Sequence, residues 1–241
     1  METQKLNTLL FDLDGTLLPL DQKRFVTSYF SLFVEKCRTL GYDSSAAAKG
    51  LSAGLAAMMV NDGSMTNKER FEITFSRESG IDSRSFNRNF ASFYDEEFCT
   101  LVETATPSSD ALKIIQTVKD KGYTVGLATT PLFPWQGTYH RIGWACLKPE
   151  QFALISTYED FHYAKPHTGY YQEILDKLDR RASQCMMIGN DVKEDMVAQS
   201  LGMQVYLVTD CLLNENHGPI TDIPKGSLSD LLVFCKELES V

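Results

Sequence analysis

The sequence predicts an α/β fold in which a parallel sheet of five strands carries an inserted helical module, and three observations support it. Apolar, β-rich runs recur at Leu6 to Phe11, Tyr123 to Ala128, Ala153 to Ser156, Cys185 to Ile188 and Gln204 to Val208. Helical patterns fall between the later runs, the alternation expected of crossovers joining parallel strands. The interval between the first two runs breaks that alternation, because nearly all of it reads as helix.

The first run is apolar enough for a strand buried on both faces, so Asp12 and Asp14 should emerge at its C-terminal end, where open α/β sheets place their ligands. Asp21 suits the start of a helix whose one face carries Val26, Tyr29, Phe30, Phe33, Cys37 and Leu40 before Gly41 ends it. A second, alanine-rich helix spans Ser45 to Val60. Thr66 and Glu69 have the spacing of a capping box at the start of a third, and Phe86, Phe90, Phe93 and Leu101 mark a fourth. The chain thus divides into a core, residues 1–18 and 104–241, and a four-helix insertion, residues 19–103. Within the core, a helix from Ser108 to Lys121 follows Pro107 and stops at Gly122, and another from Met196 to Leu201 stops at Gly202. The turn-forming stretch Asn214 to Lys225 reads as a surface loop.

A chain of 241 residues, 43% hydrophobic, buries a substantial core. Its net charge of -9 provides no basic field, which disfavours nucleic-acid binding and association with anionic membranes. Cys37, Cys99, Cys146, Cys185, Cys211 and Cys235 are dispersed without a Cys-x-x-Cys pair, as expected of reduced thiols in a cytoplasmic protein rather than a disulfide frame or zinc site. No apolar stretch is long enough to span a bilayer, and no basic and apolar leader precedes the first strand, so a soluble, unexported protein is expected.

Four acidic, hydroxyl and basic elements follow predicted strands in order. They are Asp12-Leu13-Asp14-Gly15-Thr16, Thr129 and Thr130 after Gly126-Leu127-Ala128, Lys165 in Ala164-Lys165-Pro166, and Asp191 with Asp195 in Gly189-Asn190-Asp191-Val192-Lys193-Glu194-Asp195. Each has an ordinary structural reading alone: Asp-Gly is a turn, a threonine after a strand is a turn residue, and a lysine before proline is usually solvated. Their common placement points instead to one site. His162 and His167 flank Lys165, but with Pro166 between them they read as loop histidines rather than a metal pair.

These elements resemble the haloacid dehalogenase superfamily, in particular its capped phosphatase branch, which includes phosphoglycolate phosphatase-like enzymes. The resemblance runs from Leu6 to about Val208. It implies a Rossmann-like core sheet in the order 3-2-1-4-5, a helical cap at the insertion, and hydrolysis of a small phosphorylated metabolite through an aspartyl-phosphate intermediate. Asp12 would be the nucleophile and Asp14 the acid/base. Thr129, Thr130 and Lys165 would bind phosphate, and Asp12, Asp14 through its carbonyl, Asp191 and Asp195 would form the metal site. Two unit charges about 4 Å apart repel by roughly 4 kcal/mol at an effective dielectric near 20, so a carboxylate attacking a phosphate calls for a divalent cation, and magnesium is expected.

Thr130 stands where the family often has Asn, and Asn190 separates Gly189 from Asp191. Dehalogenation is disfavoured, since Asp14, Asp191 and Asp195 would be surplus to it. A sugar-phosphate mutase would use the same residues, and a phosphorylation-dependent signalling or binding protein is the alternative from another class. Among the inserted helices, Lys68 and Arg70 are the nearby cations able to recognise an acidic or phosphorylated substrate, although a solvated helix face is the more ordinary reading of both.

Overall fold

The computed structural model describes residues 5–215 and 218–241. Strand β1 (Thr8–Phe11) is followed by helices α1 (Gln22–Thr39), α2 (Ser44–Met59), α3 (Asn67–Ser79) and α4 (Ser83–Asn89). The chain then enters α5 (Ser109–Asp120), β2 (Thr124–Leu127), α6 (Trp135–Trp144), β3 (Leu154–Ile155), α7 (Thr168–Leu178), β4 (Cys185–Gly189), β5 (Gln204–Val208), β6 (Lys225–Gly226) and α8 (Leu228–Glu237). All strand pairs are parallel, in the order β3-β2-β1-β4-β5-β6.

The order 3-2-1-4-5 is therefore present with a sixth strand added at the edge. That strand pairs only Lys225 and Gly226 with Leu207 and Val208, too short and too polar to give a periodic signal. It lies at the end of the stretch read from sequence as a loop; Asn216 and His217 of that stretch lie outside the described residues.

β1 is central, and every one of its residues is buried. Alternate side chains serve opposite faces, as the two-residue strand period requires. Leu9, Phe11, Val125, Leu127, Met186 and Ile188 pack with α5 and α8, whereas Leu10, Met187, Val205 and Leu207 pack with Tyr170, Tyr171 and Ile174 of α7.

The helical insertion enters and leaves beside itself. Asp21 N donates to Thr104 O (3.0 Å) and Thr106 N to Pro19 O (2.7 Å), so the two connecting segments run antiparallel as a paired stem. Capping is regular: Asp21, Asp43 and Asp82 each accept a main-chain N–H at a helix start, and Thr66 and Glu69 form a reciprocal capping box. The interior is aromatic, with Phe33, Phe75, Phe86, Phe90 and Phe93 linked by ring centroids 4.5–6.3 Å apart. Such pairs add about 0.5–1.5 kcal/mol each beyond simple burial.

The expected fourth helix is shorter than its aromatic pattern. α4 stops at Asn89, and Phe93 and Leu101 sit on separate 3-10 turns, Ala91–Phe93 and Phe98–Thr104. A face repeating every three or four residues is preserved through 3-10 geometry, so spacing alone does not reveal the break. Met196–Leu201 is likewise a 3-10 segment, ended by Gly202 at φ 93. Among the described residues no helix is long and apolar enough to cross a membrane.

Candidate active site

The loops after β1, β2 and β4 and the segment before α7 converge at the C-terminal edge of the sheet. Asp12 continues the β1 ladder by donating its main-chain N–H to Ile188 O (2.8 Å). The chain then turns sharply through Gly15, whose φ of +86 belongs to the left-handed region, and an added Cβ there would lie 2.4 Å from Asn190 Nδ2. The same turn brings Thr16 Oγ1 to 2.9 Å from Asn190 Oδ1 and 3.3 Å from Asp12 Oδ2. Asn190 Nδ2 in turn donates to Cys211 O (2.7 Å), so this asparagine ties the β1 loop to the loops after β4 and β5.

Lys165 is 1% exposed and lies between two carboxylates, with Nζ 2.8 Å from Asp12 Oδ1 and 2.6 Å from Asp195 Oδ1. Asp195 Oδ2 accepts the main-chain N–H of Asp191 (2.9 Å), which occupies its second oxygen. Gly189 makes this approach possible, since a Cβ there would meet Asp195 Oδ2 at 2.1 Å. Asp191 Oδ1 accepts from the main-chain N–H groups of Lys193 and Glu194 at 2.8 and 2.9 Å, which fixes its carboxylate in the turn.

Asp14 Oδ1 is buried without a hydrogen-bond partner, and Oδ2 accepts from Arg141 Nη1. Arg141, on α6, is 1% exposed and held on several sides: Nε donates to Gly137 O (3.2 Å), Nη2 to Thr138 Oγ1 (3.3 Å), and its guanidinium carbon lies 4.5 Å from the centre of the Phe133 ring. Sequence reasoning missed this residue. Its only local signal is one arginine in Tyr139-His140-Arg141-Ile142-Gly143, a pattern that an ordinary amphipathic helix produces equally well.

Thr129 is 2% exposed, and its carbonyl accepts from Ser156 Oγ (2.6 Å) and Tyr170 OH (2.9 Å). Thr130 Oγ1 donates to Glu194 Oε2 (2.8 Å), a second acid that the sequence reading did not single out. Asp12, Asp14, Thr129, Thr130, Asp191 and Asp195 line one cavity of about 270 Å³ beneath α1 and α2. Lys68 and Arg70 do not line it. Arg70 pairs with Asp62 (2.6 Å) and Lys68 lies in a separate depression beside Tyr158 and Glu159, because the start of α3 is docked against the core rather than open over the site.

Burial raises the carboxyl of Asp12 to about 7 against the opposing pull of Lys165, with Asp195 adding to the rise. Burial also raises Asp14, Asp191 and Glu194, and at Asp14 the Arg141 guanidinium is the main opposing influence. At Lys165 burial works against the charge, but the adjacent Asp12 and Asp195 outweigh it and hold the ammonium well above its usual value. Five carboxylates, those of Asp12, Asp14, Asp191, Glu194 and Asp195, thus face two cations, Lys165 and Arg141.

Among the described residues no three Asp, Glu, His or Cys side chains are gathered as a ready-made metal cage. The donor set nonetheless fits a small hard cation: oxygen atoms only, with an excess of negative charge. Asp195 is placed otherwise, with both oxygens engaged by Lys165 and the Asp191 main chain.

Residues 6–202 match the family model for haloacid dehalogenase-like hydrolases. The chain is 25% identical over 239 residues to the pyrophosphatase PpaX of Bacillus anthracis (strain A0248), covering 97% of this chain and 98% of that protein. The fold is shared with the HAD phosphatase of Thermococcus onnurineus, with TM-score 0.60, 16% identity and coverage of 98% and 100% of the two chains. It is also shared with a predicted phosphoglycolate phosphatase from Haemophilus somnus 129PT, with TM-score 0.57, 16% identity and coverage of 96% and 98%.

Proposed function

The chain belongs to the haloacid dehalogenase-like hydrolase family, and from that premise we propose that it is a cytoplasmic, magnesium-dependent phosphatase that hydrolyses a small phosphomonoester through an aspartyl phosphate on Asp12. The carrying observation is the position of Asp12, at the end of the central strand, hydrogen-bonded to buried Lys165 and two residues from Asp14. Residues 1–18 and 104–241 act as the catalytic core, and residues 19–103 as its cap.

In the first step a carboxylate oxygen of Asp12 bonds to phosphorus while the ester P–O bond breaks, and Asp14 gives a proton to the departing alkoxide. In the second, water attacks phosphorus, the bond to Asp12 breaks, and Asp14 recovers its proton from the water. Arg141 holds Oδ2 of Asp14 and so leaves Oδ1 to carry that proton. Lys165 offsets the charge of Asp12 and of a phosphate oxygen, and Thr129 supplies its hydroxyl and nearby main-chain N–H groups to the phosphate. The carboxylates of Asp12 and Asp191 and the carbonyl of Asp14 would hold magnesium, which would supply the charge neutralisation that lets one anion approach another.

The test is rapid quenching of single-turnover reactions followed by peptide mapping. The expected product is a transient phosphoryl group on the peptide containing Asp12. Turnover of phosphate esters with no such species, or with the group on another peptide, excludes the mechanism.

A further inference from the structure

The catalytic cavity changes character along its depth. Its floor is the charged cluster described above, while the walls supplied by α1, α2 and the loop before α6 are apolar: Phe25, Val26, Phe30, Leu55, Leu132 and Phe133. The polar wall groups are few. Gln22 is one, and the hydroxyl of Tyr29 is 3.3 Å from that of Tyr94. Among the described residues that line the cavity, Arg141 is the one cation, and it is engaged by Asp14, Gly137 and Thr138.

We propose that this site is built for a phosphomonoester whose leaving group is an uncharged, largely apolar alcohol, such as a benzylic or short branched alkyl alcohol. The proposal rests on the phosphatase reading and adds the substrate class to it. A second phosphate or a carboxylate on the leaving group would find only a guanidinium already paired with Asp14. A sugar would surrender water from several hydroxyls to a wall with few partners for them. A hydrophobic pocket discriminates against a single added hydroxyl by about a hundredfold. The size agrees, because about 270 Å³ lies just below the roughly 300–1,000 Å³ usual for small-molecule sites, enough for a phosphate with one ring or a short chain but not a nucleoside.

The decisive comparison uses esters of alcohols with similar intrinsic leaving ability, so that recognition rather than reactivity sets the rates. With the full chain and magnesium, kcat/KM for benzyl phosphate and 3-methylbutyl phosphate should exceed that for glycerol 1-phosphate and glucose 6-phosphate by about tenfold or more. Equal or greater efficiency with glycerol phosphate or hexose phosphate overturns the proposal. Val26 is 45% exposed and Phe30 is only partly buried, so replacing either should leave the fold intact. Val26→Asn and Phe30→Ser should each reduce the benzyl-to-glycerol ratio several-fold, and an unchanged ratio in both removes the wall as its cause. If no ester is hydrolysed, the phosphatase reading fails separately. Calorimetric binding of benzylphosphonate against phosphonoacetate then decides the cavity's preference: tighter benzylphosphonate supports the apolar assignment, and equal or absent binding rejects it.

Discussion

Arg141 donates from its guanidinium to Asp14 Oδ2 across 127 positions of sequence, with the arginine 1% exposed. Removing one member of a buried ion pair leaves the other charge uncompensated and typically costs about 3–5 kcal/mol. Asp14 is partly reached by solvent, with its side chain 22% exposed, so the lower end applies here. Urea unfolding of Arg141→Met should therefore show a loss of about 3 kcal/mol. The Asp14→Asn/Arg141→Met double variant should be clearly more stable than the sum of the two single losses. Strict additivity means that the pair is not coupled.

Asp12→Asn should abolish hydrolysis of phosphate esters, on the order of a thousandfold or more, because an amide is a poor nucleophile. The fold should survive, since Lys165 keeps its 2.6 Å contact with Asp195 and one of several crowded carboxylates has been neutralised. A melting temperature equal to or above that of the parent, together with lost turnover, is the expected pair of results. Activity above a few percent in the folded variant removes Asp12 as nucleophile.

The site that these residues form was legible in the sequence to the extent that its parts are local. Asp12, Thr129 and Asp191 lie within two residues of strand ends and Lys165 lies just before α7, where a short motif and its position along the chain specify the location of a side chain. Arg141 and Asn190 depend on partners far away in sequence, Asp14 for one and Thr16 and Cys211 for the other, and no spacing encodes such meetings. That neither Lys68 nor Arg70 lines the site was hidden from the sequence for a related reason. The capping box located the start of α3 well, but not which surface that start would be docked against. Strand β6 escaped because two residues carry no period.

Chelation should stop turnover and magnesium should restore it, whereas calcium should bind yet support little reaction, since its looser coordination misaligns the groups. A second readout avoids reliance on activity. Saturating magnesium should raise the melting temperature of the parent, because a ligand that binds only the folded state stabilises it. Asp191→Ala should diminish that rise and increase the magnesium concentration needed for turnover. Full activity in chelator, or identical metal responses in the variant, rules out the assigned ligands.

Thiol chemistry gives an independent check on burial. Burial pushes the thiols of Cys37 and Cys235 up to about 12 and that of Cys185 up to about 11, which removes the reactive thiolate at neutral pH. Cys146 is exposed. Alkylation of the native protein should label Cys146 first and reach Cys37, Cys185 and Cys235 only on unfolding. Early labelling of any of those three would contradict the packing of the helix or strand that carries it.

Asn67 offers a test of how the inserted helices engage the core. It is fully buried at the start of α3, and its Nδ2 donates to Pro131 O (3.3 Å) and Tyr163 O (3.2 Å) while Oδ1 accepts from Asn61 Nδ2 (2.9 Å). Its main-chain N–H donates to Phe161 O and that of Lys68 to Tyr158 O, each at 2.8 Å. One side chain thus joins the insertion to the loops that lead from Thr129 and into Lys165. Asn67→Leu keeps the approximate volume but leaves buried polar groups without partners, at a cost of about 1–3 kcal/mol. Because the loss falls where α3 meets the core, the local effect should exceed the global one. Hydrogen exchange should accelerate at residues 158–165 and in the first turn of α3, while the β1 and β4 amides remain protected. Catalytic efficiency should fall as closure over the site becomes less favourable. Exchange that is unchanged in these segments, or raised equally throughout the sheet, would show that Asn67 does not hold the insertion against the core.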